Sequence, residues 1–255
     1  MRVLVTGGRG FLGGHVCEAL RVAGHDPVAT GRADGDLAEA GTIERLLDAH
    51  DPELVVHLAA AMPSDGRVEQ NPLLTEHVAG ACETRGLPLF HGSTTAVYFD
   101  ETPYAESKRA SEEAAGEATI VRFHYPYGPG QRRGAIATML RQAVAGEPVV
   151  AYSGWMRSFC FARDAAEALA VLVEHGVRGD WDVGRDDDLR TLEEVAQLVC
   201  WAAGADEARI ELADPPEGYT PVLDSLDTER LRSLGWRPEV ELEDGIRRTL
   251  ESLRA

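Results

Sequence analysis

The string TGGRGFLG at residues 6–13 constrains this chain more than any other feature. It follows RVLVT at 2–6, a short β-branched run, and leads into 11–22, where apolar residues recur at helical spacing. A strand, a glycine turn and a helix in that order make the first unit of a βα fold. Gly7, Gly10 and Gly13 are spaced GxxGxxG, one residue wider than the common GxGxxG form. Absent side chains let backbone N–H groups and a helix N-terminus approach a pyrophosphate, so the turn predicts a dinucleotide cradle. The rival explanation is a glycine turn needed only for tight helix–strand packing; the strand–turn–helix setting weighs against it.

The rhythm continues along the chain. PVAT at 27–30 reads as a second strand, 41–50 as a helix stopped by Asp51-Pro52, and LVVHLAAA from Leu54 as a buried third strand. A helix over 73–85 closes at Gly86; LPLFHGS is a fourth strand, 104–116 a helix and TIVRFHY from Thr119 a fifth strand. This alternation implies right-handed crossovers and an α/β fold, a doubly wound parallel sheet with helices on both faces. Beyond residue 125 the pattern loosens into a YPYGPGQRRG loop, a short strand near Val149, and helices at 135–145, 164–174, 192–203, 228–234 and 243–253. The expected division is a dinucleotide-binding core over 1–125, with 158–184 returning to it. Segments 126–157 and 185–255 form a smaller C-terminal lobe.

Lys108 is the chain's one lysine; the other 24 of its 25 basic residues are arginines. GC-rich codon usage explains the arginines but not the survivor. Tyr104 lies four residues earlier, in YAESK. Residues at i and i+4 share a helix face, and an ammonium there favours phenolate, lowering the tyrosine from its usual value near 10. The pair reads as acid–base machinery; the rival reading is an exposed helical pair of little energetic weight.

A net charge of −18 argues against nucleic acid or an anionic membrane as the main partner. Four cysteines lack C-x-x-C spacing, which fits buried thiols in a reducing cytosol. The eight histidines lack H-E-x-x-H spacing, so no metal is expected. MRVLVTGG is a strand and turn, not a signal peptide, and no run of 18 apolar residues occurs, so a soluble cytoplasmic protein is expected. After the second strand, NAD enzymes usually present an acid to the ribose. That position falls on Gly31, with Arg32 following and Arg9 projecting from the glycine turn. Two guanidiniums can clamp a 2′-phosphate, which favours NADP. Asp34, about 20 residues past the cradle, is the competing ribose acid and would favour NAD. Asp36, in GDL, is placed beside the adenine.

With the cradle, HLAA at 57–60, STTAVY at 93–98 and YAESK at 104–108, the chain resembles the extended short-chain dehydrogenase/reductase family, most closely its nucleotide-sugar epimerases and 4-ketoreductases. VRFHYPYGPGQ at 121–131, RSFCFARDAAEAL at 157–169, WDVGRDDDLRTLEEVA at 181–196 and LGWRPEVELEDGIRRTLE at 234–251 agree in order, so the resemblance covers nearly the whole chain. It implies a Rossmann domain whose cofactor, NADP with NAD as the alternative, meets Gly7, Arg9, Gly10, Phe11, Leu12 and Gly13 at the cradle. Arg32, Asp36 and Leu37 would meet its adenosine end, and Leu58, Ala59, Ala60, Tyr104 and Lys108 its remainder. The catalytic residues implied are Thr94, Tyr104 and Lys108, with Ser93 and Thr95 left open as neighbours of the hydroxyl. Arg157 would hold a sugar-nucleotide diphosphate, assisted by Arg132 or Arg133, with Thr94 and Tyr125 also at the substrate.

Three departures stand out. Only nine residues separate Thr94 from Tyr104, which shortens one side of the pocket. An asparagine usual two residues before YG is Tyr125, as in dTDP-4-dehydrorhamnose reductases, and the asparagine of the helix before the fourth strand falls at His77. The implied reaction is hydride transfer from NADPH to a keto-sugar nucleotide at C4. Tyr104 would donate the proton, Thr94 bond the same oxygen, and Lys108 lower the tyrosine and touch the nicotinamide ribose. The alternatives are an NAD-dependent epimerase working through a 4-keto intermediate and a non-catalytic NAD(P)-binding sensor. The family also implies a homodimer built on the helices at 73–85 and 104–116.

Overall fold

The computed structural model describes residues 1–220 and 226–254; residues 221–225 and 255, part of the expected lobe, lie outside them. The first half runs β1 (Arg2–Thr6), α1 (Phe11–Val22), β2 (Asp26–Thr30), α2 (Thr42–His50), β3 (Leu54–His57), α3 (Asn71–Arg85), β4 (Leu89–Thr94), α4 (Pro103–Ala114) and β5 (Thr119–Phe123). Then come β6 (Pro126–Tyr127), α5 (Ala135–Ala145), β7 (Val149–Tyr152), β8 (Met156–Arg157), β9 (Cys160–Phe161), α6 (Ala162–Glu174) and β10 (Asp180–Val183). The chain continues through β11 (Arg190–Thr191), α7 (Leu192–Ala203), β12 (Ile210–Ala213), α8 (Glu229–Ser233) and α9 (Leu242–Arg254).

Six strands form one sheet in the order β10-β5-β4-β3-β1-β2, every neighbour parallel. The chain winds from β1 to β2 on one side, then returns to β3 on the other. The crevice beyond the C-terminal ends of β1 and β3 is therefore the switch point where such sheets take ligands. Strand residues alternate between faces. Val3 and Val5 pack with Val16 and Leu20 of α1 and Leu169 and Leu172 of α6. Leu4 faces the other way, with Ile43 and Leu47 of α2 and Val78 of α3. Covered on both faces, β1 is a continuous apolar run and not an alternating one.

A second core joins α5, α7 and α9 through Ile136, Leu140, Val195, Val199, Ile246 and Leu250, with Trp155 and Phe159 beside them. Thr191 starts α7 as a capping box, its hydroxyl accepting from Glu194 N–H at 3.1 Å while Glu194 accepts from Thr191 N–H at 2.8 Å.

Three expectations change. The third strand stops at His57 and does not continue through LAAA, because β1 ends at the glycine turn; Leu58 N–H donates to Thr6 O at 3.0 Å and the chain leaves the sheet. The sixth strand, β10, was not anticipated. Leu231 and Trp236, from the segment assigned to the lobe, pack in the sheet core, and Trp236 Nε1 donates to Asp164 O at 3.0 Å. Among the described residues no helix is long and apolar enough to cross a membrane.

Candidate active site

The glycine turn leaves no room for side chains. Gly7 has φ +71°, and a Cβ there would lie 2.7 Å from Ala59 N and 2.8 Å from Leu58 C. A Cβ on Gly13 would come within 2.1 Å of Gly7 O. Gly10 N–H donates to Gly7 O at 2.8 Å and closes the turn. Gly8, passed over in the sequence, is equally tight: its Cβ would sit 2.7 Å from Val5 O and 2.8 Å from Ala29 Cα. No side chain caps α1, and its first helical bond runs from Gly14 N–H to Gly10 O at 3.0 Å. The N–H groups of Phe11, Leu12 and Gly13 therefore have no intrahelical partner and stand at the positive end of the helix. This cradle fits the pyrophosphate of a dinucleotide.

At the end of β2, Gly31 packs beside Arg9: a Cβ there would make ordinary contact with the Arg9 side chain, 3.5 Å from its Cβ. Arg9 pairs with Asp34 at 2.9 Å, and Asp34 also accepts from Gly31 N–H at 2.8 Å. Arg32 lies 3.6 Å from Asp65, which Arg133 also meets at 3.0 Å. Asp36 meets Arg67 at 3.3 Å; the Ala38 N–H and then Arg67 hold its carboxyl below the usual range. Arg9 and Arg32 thus each stand beside a carboxylate. Leu37 differs from expectation: its side chain is buried with α2 and α3, where an apolar residue flanking an amphipathic helix belongs.

The three hydroxyls ending β4 separate cleanly. Ser93 donates to Glu112 at 2.5 Å and Thr95 pairs with His124 Nδ1 at 2.7 Å, both buried. Thr94 is partly exposed, and its oxygen accepts from Ala96 N–H at 3.3 Å. A hydroxyl that accepts keeps its own proton to donate. Thr94 is the one member of the trio that is not buried.

Tyr104 is placed by the start of α4, where Pro103 takes the first helical position and Thr102 caps, accepting from Ala105 N–H at 3.2 Å. Burial pushes its phenol up to about 12. Lys108 is 2% exposed; its Nζ donates to Gly92 O at 2.8 Å and to His91 Nε2 at 3.3 Å. Burial brings it down to about 8, with Glu112 opposing. The expected charge pairing is corrected here. Lys108 lies on the α4 face packed against the sheet, the Gly92 carbonyl of β4 takes its ammonium, and the phenol rises instead of falling.

The shortened loop between Thr94 and Tyr104 is closed from the C-terminal side. Glu101 N–H donates to Gly218 O at 2.8 Å and Thr220 N–H to Asp100 Oδ1 at 3.0 Å. Arg157, expected at a substrate diphosphate, is 0% exposed. It donates to Met156 O at 2.7 Å and to Thr220 O, and stacks on Trp155 at 4.6 Å, Phe99 at 5.2 Å and Tyr125 at 5.3 Å. A guanidinium fits this aromatic box because its faces are weakly hydrated; here it braces the two halves. Tyr125 has φ +38°, a region asparagine tolerates better than tyrosine, and its ring packs edge-on to Trp155 and Phe159. Arg132 and Arg133 are exposed on the same loop.

His77, where the family's helix asparagine falls, directs its Nδ1 to Leu37 O at 2.8 Å. Asn71 is the chain's sole asparagine. Asn71 accepts from Ala61 N–H at 2.7 Å and donates to Ala61 O and Ser107 Oγ, both at 3.1 Å, tying the chain after β3 to α4 beside Lys108. Among the described residues no group of three metal-ligating side chains is assembled.

The model of the NAD dependent epimerase/dehydratase family matches residues 3–184. A dTDP-glucose 4,6-dehydratase from Xanthomonas campestris is 26% identical over 97% of this chain and 92% of its own. A dTDP-4-dehydrorhamnose reductase from Mycobacterium tuberculosis is 29% identical over 82% of this chain and 78% of its own. The solved UDP-glucose 4-epimerase of Thermus thermophilus, in complex with NAD, matches with a TM-score of 0.87 at 28% identity, covering 100% of this chain and 99% of that one. The chain belongs to the NAD dependent epimerase/dehydratase family and is an NAD(P)-dependent enzyme of the extended short-chain dehydrogenase/reductase type, the group of nucleotide-sugar oxidoreductases, epimerases and dehydratases.

Proposed function

We propose that this enzyme reduces a keto-sugar nucleotide, at C4, using NADPH. The observation that supports the reading is the segment after β2, where Arg9 packs against Gly31 and Arg32 follows it, two exposed guanidiniums suited to a 2′-phosphate. A cofactor with that phosphate is consumed in net reduction, and the similarity to a dTDP-4-dehydrorhamnose reductase points the same way.

The bound nicotinamide supplies the hydride. Tyr104, kept protonated by burial across the neutral range, donates to the oxygen of the new alcohol. Thr94 donates to the same oxygen as charge develops on it. Lys108 steadies the nicotinamide ribose from below, and Arg132 and Arg133 serve the substrate's phosphates. Two copies pair through α3 and α4.

One observation favours the second reading, an NAD-dependent epimerase. Asp34 stands in the same segment with its carboxylate on Gly31 N–H, suited to a ribose hydroxyl once Arg9 turns aside. The deciding experiment offers NADPH with a panel of dTDP-, GDP- and UDP-4-ketohexoses and follows absorbance of the reduced nicotinamide. Loss of NADPH with one nucleotide class is the expected result. Tightly held NAD in the purified protein, with no NADPH consumption, would reverse the assignment in favour of epimerisation.

The arginines give a separate prediction. Arg9→Ala and Arg32→Ala each weaken NADPH binding on the order of tenfold, the weight of one charge-assisted hydrogen bond at a partly exposed site. NADH binding changes little. Fluorescence titration with both cofactors measures the ratio, and equal losses for the two would remove the phosphate clamp.

A further inference from the structure

We propose that His91 is a positioning residue for Lys108, accepting from Nζ so that the chain's single ammonium is held at the floor of the cleft with one N–H left for a ligand. The proposal rests on Lys108 serving the cofactor site, and not on which sugar is reduced.

An ammonium carries only donors, so His91 Nε2, 3.3 Å from Nζ, accepts. That fixes His91 as the neutral tautomer with its proton on Nδ1. Gly92 O takes a second N–H of the same ammonium at 2.8 Å. With two of three tetrahedral donors directed by β4, the third points along a set direction, and the flexible lysine stem behaves as a rigid one.

His91 is itself held in place. Its Cα pairs with that of His57 across β3 and β4, and the rings lie 5.3 Å apart. His57 is fully buried between Thr6 Oγ1, 2.7 Å from Nδ1, and Thr75 Oγ1, 3.4 Å from Nε2. Thr75 donates to Asn71 O at 3.0 Å and therefore accepts from Nε2–H, so Thr6 donates to Nδ1. This row of neutral groups runs from α4 under the sheet's end to Thr6, the residue before the glycine turn.

The titratable groups facing Lys108 are His91 and His57 from the sheet, Glu112 one turn ahead on α4 and Tyr104 one turn behind. Burial and then the ammonium hold both imidazoles below their usual range, so neither competes for the proton. His91 Nδ1 has no hydrogen-bond partner among the described residues. An apolar residue of similar size would avoid that desolvation cost, and what the histidine offers in exchange is the acceptor at Nε2.

The single lysine makes the test direct. Protein grown with lysine labelled at Cε and Nζ gives one lysine signal, whose titration reports Lys108 without any turnover. The wild-type midpoint should fall near about 8. His91→Leu, which removes the acceptor, should lower it by about one pH unit or more. His91→Gln, whose amide oxygen reaches the Nε2 position, should titrate as the wild type does. NADPH should shift the signal in the wild type and in the Gln variant alike. Should the Leu variant not fold, His91→Phe gives the same comparison with a ring in place. Unchanged titration in the Leu or Phe variant, or a Gln variant displaced as far as either, overturns the proposal. Failure of the ketohexose panel leaves these measurements untouched, so the two readings fail separately.

Discussion

Tyr104→Phe loses turnover by about a thousandfold, within the span general acid catalysis commands, and keeps its affinity for NADPH. The substitution removes one oxygen and nothing else. The ring still fills its partly buried place at the second position of α4, and the features that start the helix, Thr102 and Pro103, are unaltered. Lys108 is also undisturbed, because its ammonium is bound to Gly92 O and His91 and not to the phenol. The affinity measurement therefore isolates the proton donor from the cofactor site. With the phenol raised to about 12 by burial, its ionisation adds no falling limb to the reductive pH profile across the neutral range. Single-turnover kinetics and NADPH fluorescence titration check both halves. A Phe variant with substantial turnover would mean that another group or water protonates the product.

The fate of Lys108 shows where sequence reasoning stops. Spacing by four residues correctly puts Tyr104 and Lys108 on one helix, but it does not say which acceptor wins the ammonium. A partly buried strand carbonyl, sixteen positions away in the chain, outcompetes a phenol one turn off. The hydroxyl trio is similar: Ser93 and Thr95 were indistinguishable from Thr94 because their partners, Glu112 and His124, lie far along the sequence. For Arg157 the sequence left a diphosphate ligand and a brace between the lobes both open, because the box around it is assembled from Phe99, Tyr125, Trp155 and Thr220. Local signals fared better. The bounds of α1, α5 and α7 were legible because glycines and a capping threonine mark them: Gly10, Gly146 at φ +71°, and Thr191 with Gly204 at φ +70°. The third strand was overrun because LAAA is as apolar as the strand before it; what ends the strand is the loss of its neighbour β1 at Gly7, a tertiary event. Strand β10 hid because Asp180 and Asp182 break its apolar run.

Gly13→Ala should remove dinucleotide binding, while Gly14→Ala, its next-door neighbour, should not. The added methyl at residue 13 would stand 2.1 Å from Gly7 O, 2.7 Å from Gly8 Cα and 2.8 Å from Gly7 C. All three are backbone atoms, so no rotamer relieves the clash; either the turn opens or α1 backs away. The helix has nowhere to go, since Val16 and Leu20 are locked against the sheet and α6. Overpacking of this kind costs about 1–3 kcal/mol, and the displaced N–H groups of Phe11, Leu12 and Gly13 cost affinity on the order of a hundredfold or more. At residue 14 a Cβ meets nothing within 4 Å, and the position is exposed on a regular helix. There alanine replaces a poor helix former and should stabilise by about 0.5–1 kcal/mol with binding intact. Urea unfolding and NADPH titration on the two variants make the comparison. Equal affinities would show that the close contact between the turn and the helix start is not what holds the pyrophosphate.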